Sequence, residues 1–318
     1  MVSRRGVKEG AVARLVHVAL ATVQFLFASL TVAAKFVLPS ISPTGIVFFR
    51  VAGSAVAFFV LQRTLVRERV TDPRDLAALA GLAVIGVVLN QVLFLEGVKR
   101  TTAINTNIMV TTIPVFTLAI ALVLRRERAT WPKLGGIGLA AAGAIYLIGP
   151  DRVSLDPSTA FGNALVACNA CSYAAYLVLS KRLLERYHPL TVITHMFIFG
   201  AVLILPFGLV ALRGVAVWDL PARALLGLGY IVLLSSLLAY YLSIWALQRT
   251  ASSLVAMYVY LQPVMTVAGA PLVLGERITA RSVVAAAVIF GGLALATWGE
   301  QRSGRVLGLA FRAPAEGV

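Results

Sequence analysis

Negative charge is what this sequence lacks most. Asp and Glu number 13 against 28 Lys and Arg, the net charge is +15, and charged residues of both signs fill only 13% of the 318 positions. Ordinary soluble domains carry about 25%. A chain that is 59% hydrophobic, with a mean hydropathy of +0.90, could not cover itself with polar surface in water, so lipid is the solvent that fits it. Groups suited to chemistry are sparse too, with three histidines and two cysteines. Cys168 and Cys171 form a CxxC on one turn of an apolar segment without a His or acidic neighbour, which reads as small packing residues rather than a metal or redox pair. HExxH, a supported Ser–His arrangement and a nucleotide-binding loop are all missing. No metal, cofactor or enzymatic activity is expected. A basic excess in a soluble protein would suggest nucleic acid, but the chain has neither a long basic tail nor interleaved arginines and aromatics.

What is there is a series of apolar runs of about 20 residues, each enough to cross hydrocarbon as a helix. Ten spans are predicted, at 14–36, 44–62, 76–98, 102–124, 131–149, 159–180, 190–212, 222–246, 251–274 and 279–299. Turn and helix-start signals separate them: Pro39 and Pro43, Asp72-Pro73, Pro132, Gly149-Pro150, Asp156-Pro157, Pro189 and Pro221. The stretch from Ala11 to Leu38 is too long for the core of a cleavable signal peptide, and residues from Gln301 read as a polar, basic tail. With the N-terminus inside, inner segments hold 19 Lys and Arg and outer segments 8, with Arg50 left within a span. That bias places both termini in the cytoplasm and accounts for the net charge.

The chain also repeats itself. At a shift of 149 positions, Arg100-Thr101 meets Arg249-Thr250, Pro114-Val115 meets Pro263-Val264, Glu127-Arg128 meets Glu276-Arg277, and Gly143 meets Gly292. At a shift of 146, Lys35 meets Lys181 and Pro43 meets Pro189. The reading is an all-α membrane protein of two five-helix halves, 1–150 and 151–300, followed by a tail at 301–318. Five is odd, so the second half enters from the opposite side and the halves form an inverted repeat. Three of four loop pairs follow the inversion in charge; loop 3–4 against 8–9 runs the other way.

Pro114-Val115-Phe116 followed by Arg126-Glu127-Arg128-Ala129-Thr130, and Gln262-Pro263-Val264 followed by Gly275-Glu276-Arg277-Ile278-Thr279, resemble the paired signatures of the EamA-type branch of the drug/metabolite transporter superfamily. The resemblance spans about residues 14–299, with Arg126 standing where the first signature usually has Gly. It implies a secondary carrier in a bacterial inner membrane. Within the branch, the chain is most similar to exporters of aromatic and other amino acids. Drugs or other small metabolites are the alternative cargo, and a channel is a third reading. The expected partners are a small solute and the bilayer, with the chain a monomer or a weak homodimer.

Helical spacing (i, i+4, i+7, i+11) selects faces able to line a shared cavity. Helix 6 offers Asn169, Tyr173, Tyr176 and Ser180 on one stripe, and helix 1 offers Gln24, Ala28, Thr31 and Lys35. Helix 4 offers Asn107, Thr111 and Pro114, which the repeat maps onto Ala256, Tyr260 and Pro263. Helix 3 adds Asn90 and Gln91, and helix 8 adds Ser236, Tyr240 and Ser243. The expected substrate-binding set is Gln24, Asn90, Gln91, Asn107, Thr111, Asn169, Tyr173, Tyr176, Tyr240 and Tyr260. For the amides, a cavity competes with plain interhelical hydrogen bonding. Pro114 and Pro263 are either hinges or passive kinks. Arg50 either snorkels, pairs with Glu96 or meets a substrate carboxylate; Glu127 and Glu276 read as turn residues and His195 as packing. Gly138 and Ala142, with their counterparts Ala287 and Gly291, form a small-xxx-small stripe expected to pack helices or a dimer. No Asp or Glu falls in the middle of a span, so weak or absent proton coupling is expected, with Lys35, Lys181 and His195 as the other possible proton carriers.

Overall fold

The computed structural model describes residues 4–149, 156–265, 268 and 279–302. Those residues are helical or lie in short connections, with no strand among them. Several predicted start signals act as caps. Ser42, Asp72, Asp156 and His188 each accept a backbone N–H of the first turn through their side chains, and a proline follows each at the first helical position. There its missing N–H costs nothing and its fixed φ suits the helix.

The elements run α1 (Arg4–Val37), α2 (Pro43–Leu65), α3 (Pro73–Ala83), α4 (Asn90–Val98), α5 (Ala103–Val110), α6 (Ile113–Val123), α7 (Trp131–Ile148), α8 (Pro157–Leu184) and α9 (Pro189–Ala211). They continue as α10 (Ala222–Val232), α11 (Ala239–Arg249), α12 (Ser252–Met257) and α13 (Ala280–Arg302). Nine stretches among the described residues are long and apolar enough to cross a membrane. The span expected at 251–274 is helical through residue 265 (apart from a 3₁₀ turn at Tyr258–Tyr260); its remainder, with Glu276, lies almost wholly outside the described residues.

Three further spans are not continuous α-helices. A six-residue π-segment, Val84–Leu89, joins α3 to α4, and a second, Leu233–Leu238, joins α10 to α11. The expected helix over 102–124 breaks at Thr111–Thr112, just before Pro114. Proline cannot donate to the carbonyl four residues back. The neighbouring carbonyls of Ile108 and Met109 are taken by the hydroxyls of Thr111 (2.6 Å) and Thr112 (2.5 Å).

Packing runs between distant parts of the chain: α7 along α13, α2 along α9, α4 against α8, α6 against α12, and α1 against α10 and α11. The α7–α13 seam is the tightest. A Cβ on Gly292 would stand 2.6 Å from both the Ala140 nitrogen and the Gly136 oxygen, so only a hydrogen fits there. The seam does not use the expected small-xxx-small stripe for packing within the chain. Gly138, Ala142, Ala287 and Gly291 all face outwards, while Gly136, Ala140, Gly292 and Ala296 make the contact. Cys168 and Cys171 are free and exposed rather than packed.

Candidate functional site

A π-segment spreads i→i+5 hydrogen bonds over a widened turn and leaves backbone carbonyls short of their usual partners. Side chains from neighbouring helices supply donors. Ser172 donates to the Ile85 oxygen in the first segment (2.7 Å), and Asn169 donates to the Asn90 oxygen just beyond it (2.6 Å). At the second segment, Ser54 donates to the Val232 oxygen (3.3 Å), and Ser235 reaches across to the Leu26 oxygen (3.1 Å). Arg50 of α2 lies between the two: its Nε donates to the Ser236 hydroxyl at 3.0 Å and its Nη1 to the Gln91 amide oxygen at 3.3 Å.

Aromatic rings line the same region. Phe58 and Phe197 meet at 5.1 Å, Phe197 and Tyr240 at 5.1 Å, and Tyr240 and Phe27 at 5.8 Å, all in edge-on arrangements. Tyr173 and Tyr176 lie 5.6 Å apart, and the Arg50 charge acts on the Tyr240 hydroxyl. Gly86, inside the first π-segment, admits the Tyr176 ring, because a Cβ there would come within 2.6 Å of it. The hydroxyls of Tyr176 and Tyr260 are buried without a hydrogen-bond partner among the described residues. An unmade bond of that kind costs about 1–3 kcal/mol and asks for an explanation.

Of the expected site residues, Asn90, Gln91, Asn169, Tyr173, Tyr176 and Tyr240 share this region. Gln24 is buried elsewhere along α1, accepting from the Gln262 amide at 2.8 Å, near a His17–Tyr258 contact of 2.5 Å. Tyr260 is buried in the core, Asn107 is exposed, and the Thr111 hydroxyl is spent on its own helix. Pro114 stands at the break between α5 and α6, and Pro263 within the helical stretch 261–265. The side chains of Thr31 and Lys35 lie outside the described residues.

Three expectations change. Arg50 does not pair with Glu96, which instead accepts from Lys99 at 2.8 Å and from Arg100 on its own helix end. Glu127 is no mere turn residue: almost wholly buried, it binds the Lys133 ammonium at 2.7 Å and both the backbone N–H (3.1 Å) and hydroxyl of Ser253. Burial pushes its carboxyl up, but the charge and hydrogen bond of Lys133 and the two bonds from Ser253 outweigh that and hold it below the ordinary range. His195 does not simply pack, for it lines a cavity of about 540 Å³ with Gln62, Arg63, Arg67 and Arg69 at the far end of α2. What the sequence reading missed most was the setting of Arg50. The signal was its position, since an ionisable residue inside a span is a functional candidate by default. Among the described residues no cluster of His, Cys, Asp or Glu could hold a metal ion.

The chain is similar to known proteins. An uncharacterized transporter of Archaeoglobus fulgidus is 28% identical over 290 residues, covering 88% of this chain and 96% of its own. A WAT1-related protein of Arabidopsis thaliana is 26% identical over 321 residues, covering 90% and 84%. One solved crystal structure superposes with a TM-score of 0.73 at 19% identity, over 91% of this chain and 98% of that one, a likeness of fold. The EamA-like transporter family matches residues 14–149 and 160–298, and the chain belongs to that family of membrane transporters.

Proposed function

We propose that the chain is a secondary carrier that exports small solutes, amino acids foremost and aromatic or other neutral ones among them, by alternating access between two inverted five-helix repeats. The observation that carries this reading is the pairing of the π-segments. The second begins 149 positions after the first, the register at which the sequence repeats, and the two flank the Arg50 region. Irregular backbone at membrane depth is tolerated where it is buried in protein or lines a cavity, and carriers place their sites at the interface of repeats. Packing supports the same view. Exchanging the halves turns the α4–α8 contact into that of α1 with α11, and leaves α2–α9 and α7–α13 in place. The two family matches, 14–149 and 160–298, are of nearly equal length.

In this reading the amides and hydroxyls beside the π-segments hold the solute's polar groups, and the tyrosines and phenylalanines pack its side chain. The protein sits in a bacterial inner membrane with both termini cytoplasmic, as a monomer or weak homodimer, with weak or absent proton coupling. Drugs or other metabolites remain the alternative cargo. Counterflow in proteoliposomes with phenylalanine, tryptophan, threonine and methionine tests it, with saturable exchange unaltered by an imposed pH gradient as the expected result. Non-saturable leak of every probe, or reporter fusions placing residues 1 and 318 on opposite sides, defeats it.

A further inference from the structure

We infer that Arg50 is the docking point for a carboxylate of the transported solute, an inference that rests on the carrier reading above and specifies its substrate class. Arg50 lies seven residues into Pro43–Leu65, about 10 Å along the helix axis, inside the hydrocarbon. A guanidinium there keeps its charge, and intramembrane cations are costly unless paired. Its protein partners are neutral: a serine hydroxyl and a glutamine amide. Glu96, the acid expected to neutralise it, is taken by Lys99 and Arg100. Among the described residues no carboxylate lies within ion-pair range of Arg50.

The side chain also points the wrong way for an anchor. A snorkelling arginine runs out to the headgroups, whereas this one reaches sideways to Ser236 in the second π-segment and to Gln91 just beyond the first, and stays half-buried. Two of its five N–H groups find acceptors among the described residues, and the fork that remains suits a carboxylate. Tyr240 stands beside it, with Tyr173 and Tyr176 within electrostatic reach of that tyrosine. The buried Tyr176 hydroxyl supplies a further polar group with no bond of its own among the described residues. A cation beside Tyr240, the ring from which the aromatic cluster of Phe27, Phe197 and Phe58 extends, matches a solute with an anionic head and an apolar or aromatic body.

The test uses the full chain in proteoliposomes with three probes of similar size: phenylalanine, 3-phenylpropionate, which lacks the amine, and phenethylamine, which lacks the carboxylate. The two acids should compete for counterflow at least about 30-fold better than the amine, the scale of losing a partner to a buried charge. Arg50→Gln should erase that preference without shifting the melting temperature, and Arg50→Lys should restore part of it. A merely structural Arg50 would move melting and all three fluxes together and leave the preference intact, which overturns the inference. So does equal competition by the amine in the unaltered protein, although the carrier reading survives that result. Absence of flux for all three removes the amino-acid reading and the inference with it. If Arg50→Gln does not accumulate, the unaltered protein and Arg50→Lys decide between these outcomes.

Discussion

The two membrane faces of this bundle are tied in different ways. On the face that carries the loops 66–72, 124–130 and 185–188, acids bridge the halves of the chain. Asp75 accepts from Arg186 and from Tyr187, each at 2.8 Å, Glu68 accepts the His188 N–H at 2.9 Å, and Glu127 accepts from Ser253. Within the second half, Lys181 bonds the Thr250 oxygen, and Gln248 the Leu184 oxygen at 2.9 Å. On the opposite face the acid works locally, Glu96 with Lys99 and Arg100 of its own helix end. The cross-half ties described there come from neutral acceptors, the Asn163 amide to Thr101 and Asn105, and the Tyr146 oxygen to Arg281. Parting the halves at the first face therefore takes the carboxylates of Asp75, Glu68 and Glu127 from their cross-half donors, whereas at the second it exchanges hydrogen bonds to neutral acceptors with water. The first face is the harder one to open.

That contrast is broken most severely at Glu127. Glu127→Ala leaves Lys133 buried without its carboxylate, and stability should fall by about 3–5 kcal/mol, read as a lower melting temperature in detergent. Replacing both, as Glu127→Leu with Lys133→Met, should recover much of that loss, because neither charge is then stranded. Acid should approach the same end gradually. The folded carboxyl of Glu127 lies below its ordinary value. Its contribution is therefore complete above the usual carboxylate range and disappears as pH falls through the folded value. Melting curves between about pH 7 and pH 3, with Glu127→Gln as the reference, should converge at the acid end. Asp75→Asn comes next, at about 2 kcal/mol, since a buried acceptor loses its charge while half-exposed Arg186 can turn to water. The smallest effect belongs to the other face: Glu96→Gln should leave the melting temperature unmoved, as exposed pairs within a helix end contribute little.

Much of the fold was legible because its signals are local. Apolar length marks the spans, and Asp72-Pro73, Asp156-Pro157 and Pro189 mark their starts, each acting through neighbouring backbone. The π-segments were not legible, since an i→i+5 turn has no residue signature and the runs VIGVVL and LLSSLL differ in kind. Of the alternatives for Arg50, pairing with Glu96 fails because Lys99 and Arg100 lie one turn from Glu96 on the same helix face. The glycine stripe was displaced by two positions because Gly135 to Gly143 is small nearly throughout, so several four-residue spacings fit and only the partner helix chooses among them. Six of the ten site residues share one region, whereas Asn107 and Thr111 show that a polar stripe on a broken helix turns away at the break.

The glycine seam between α7 and α13 carries a mechanical consequence. Where backbones touch with no side chain as a spacer, as at Gly136 and Gly292, neither sliding nor tilting is possible without a collision. These helices, one from each end of the chain's internal symmetry, form a single strut. In the carrier proposed above, α7 and α13 would then stand as a common frame, and the remaining helices of each repeat would move against it, with the breaks at 111–112 and 258–260 as the joints.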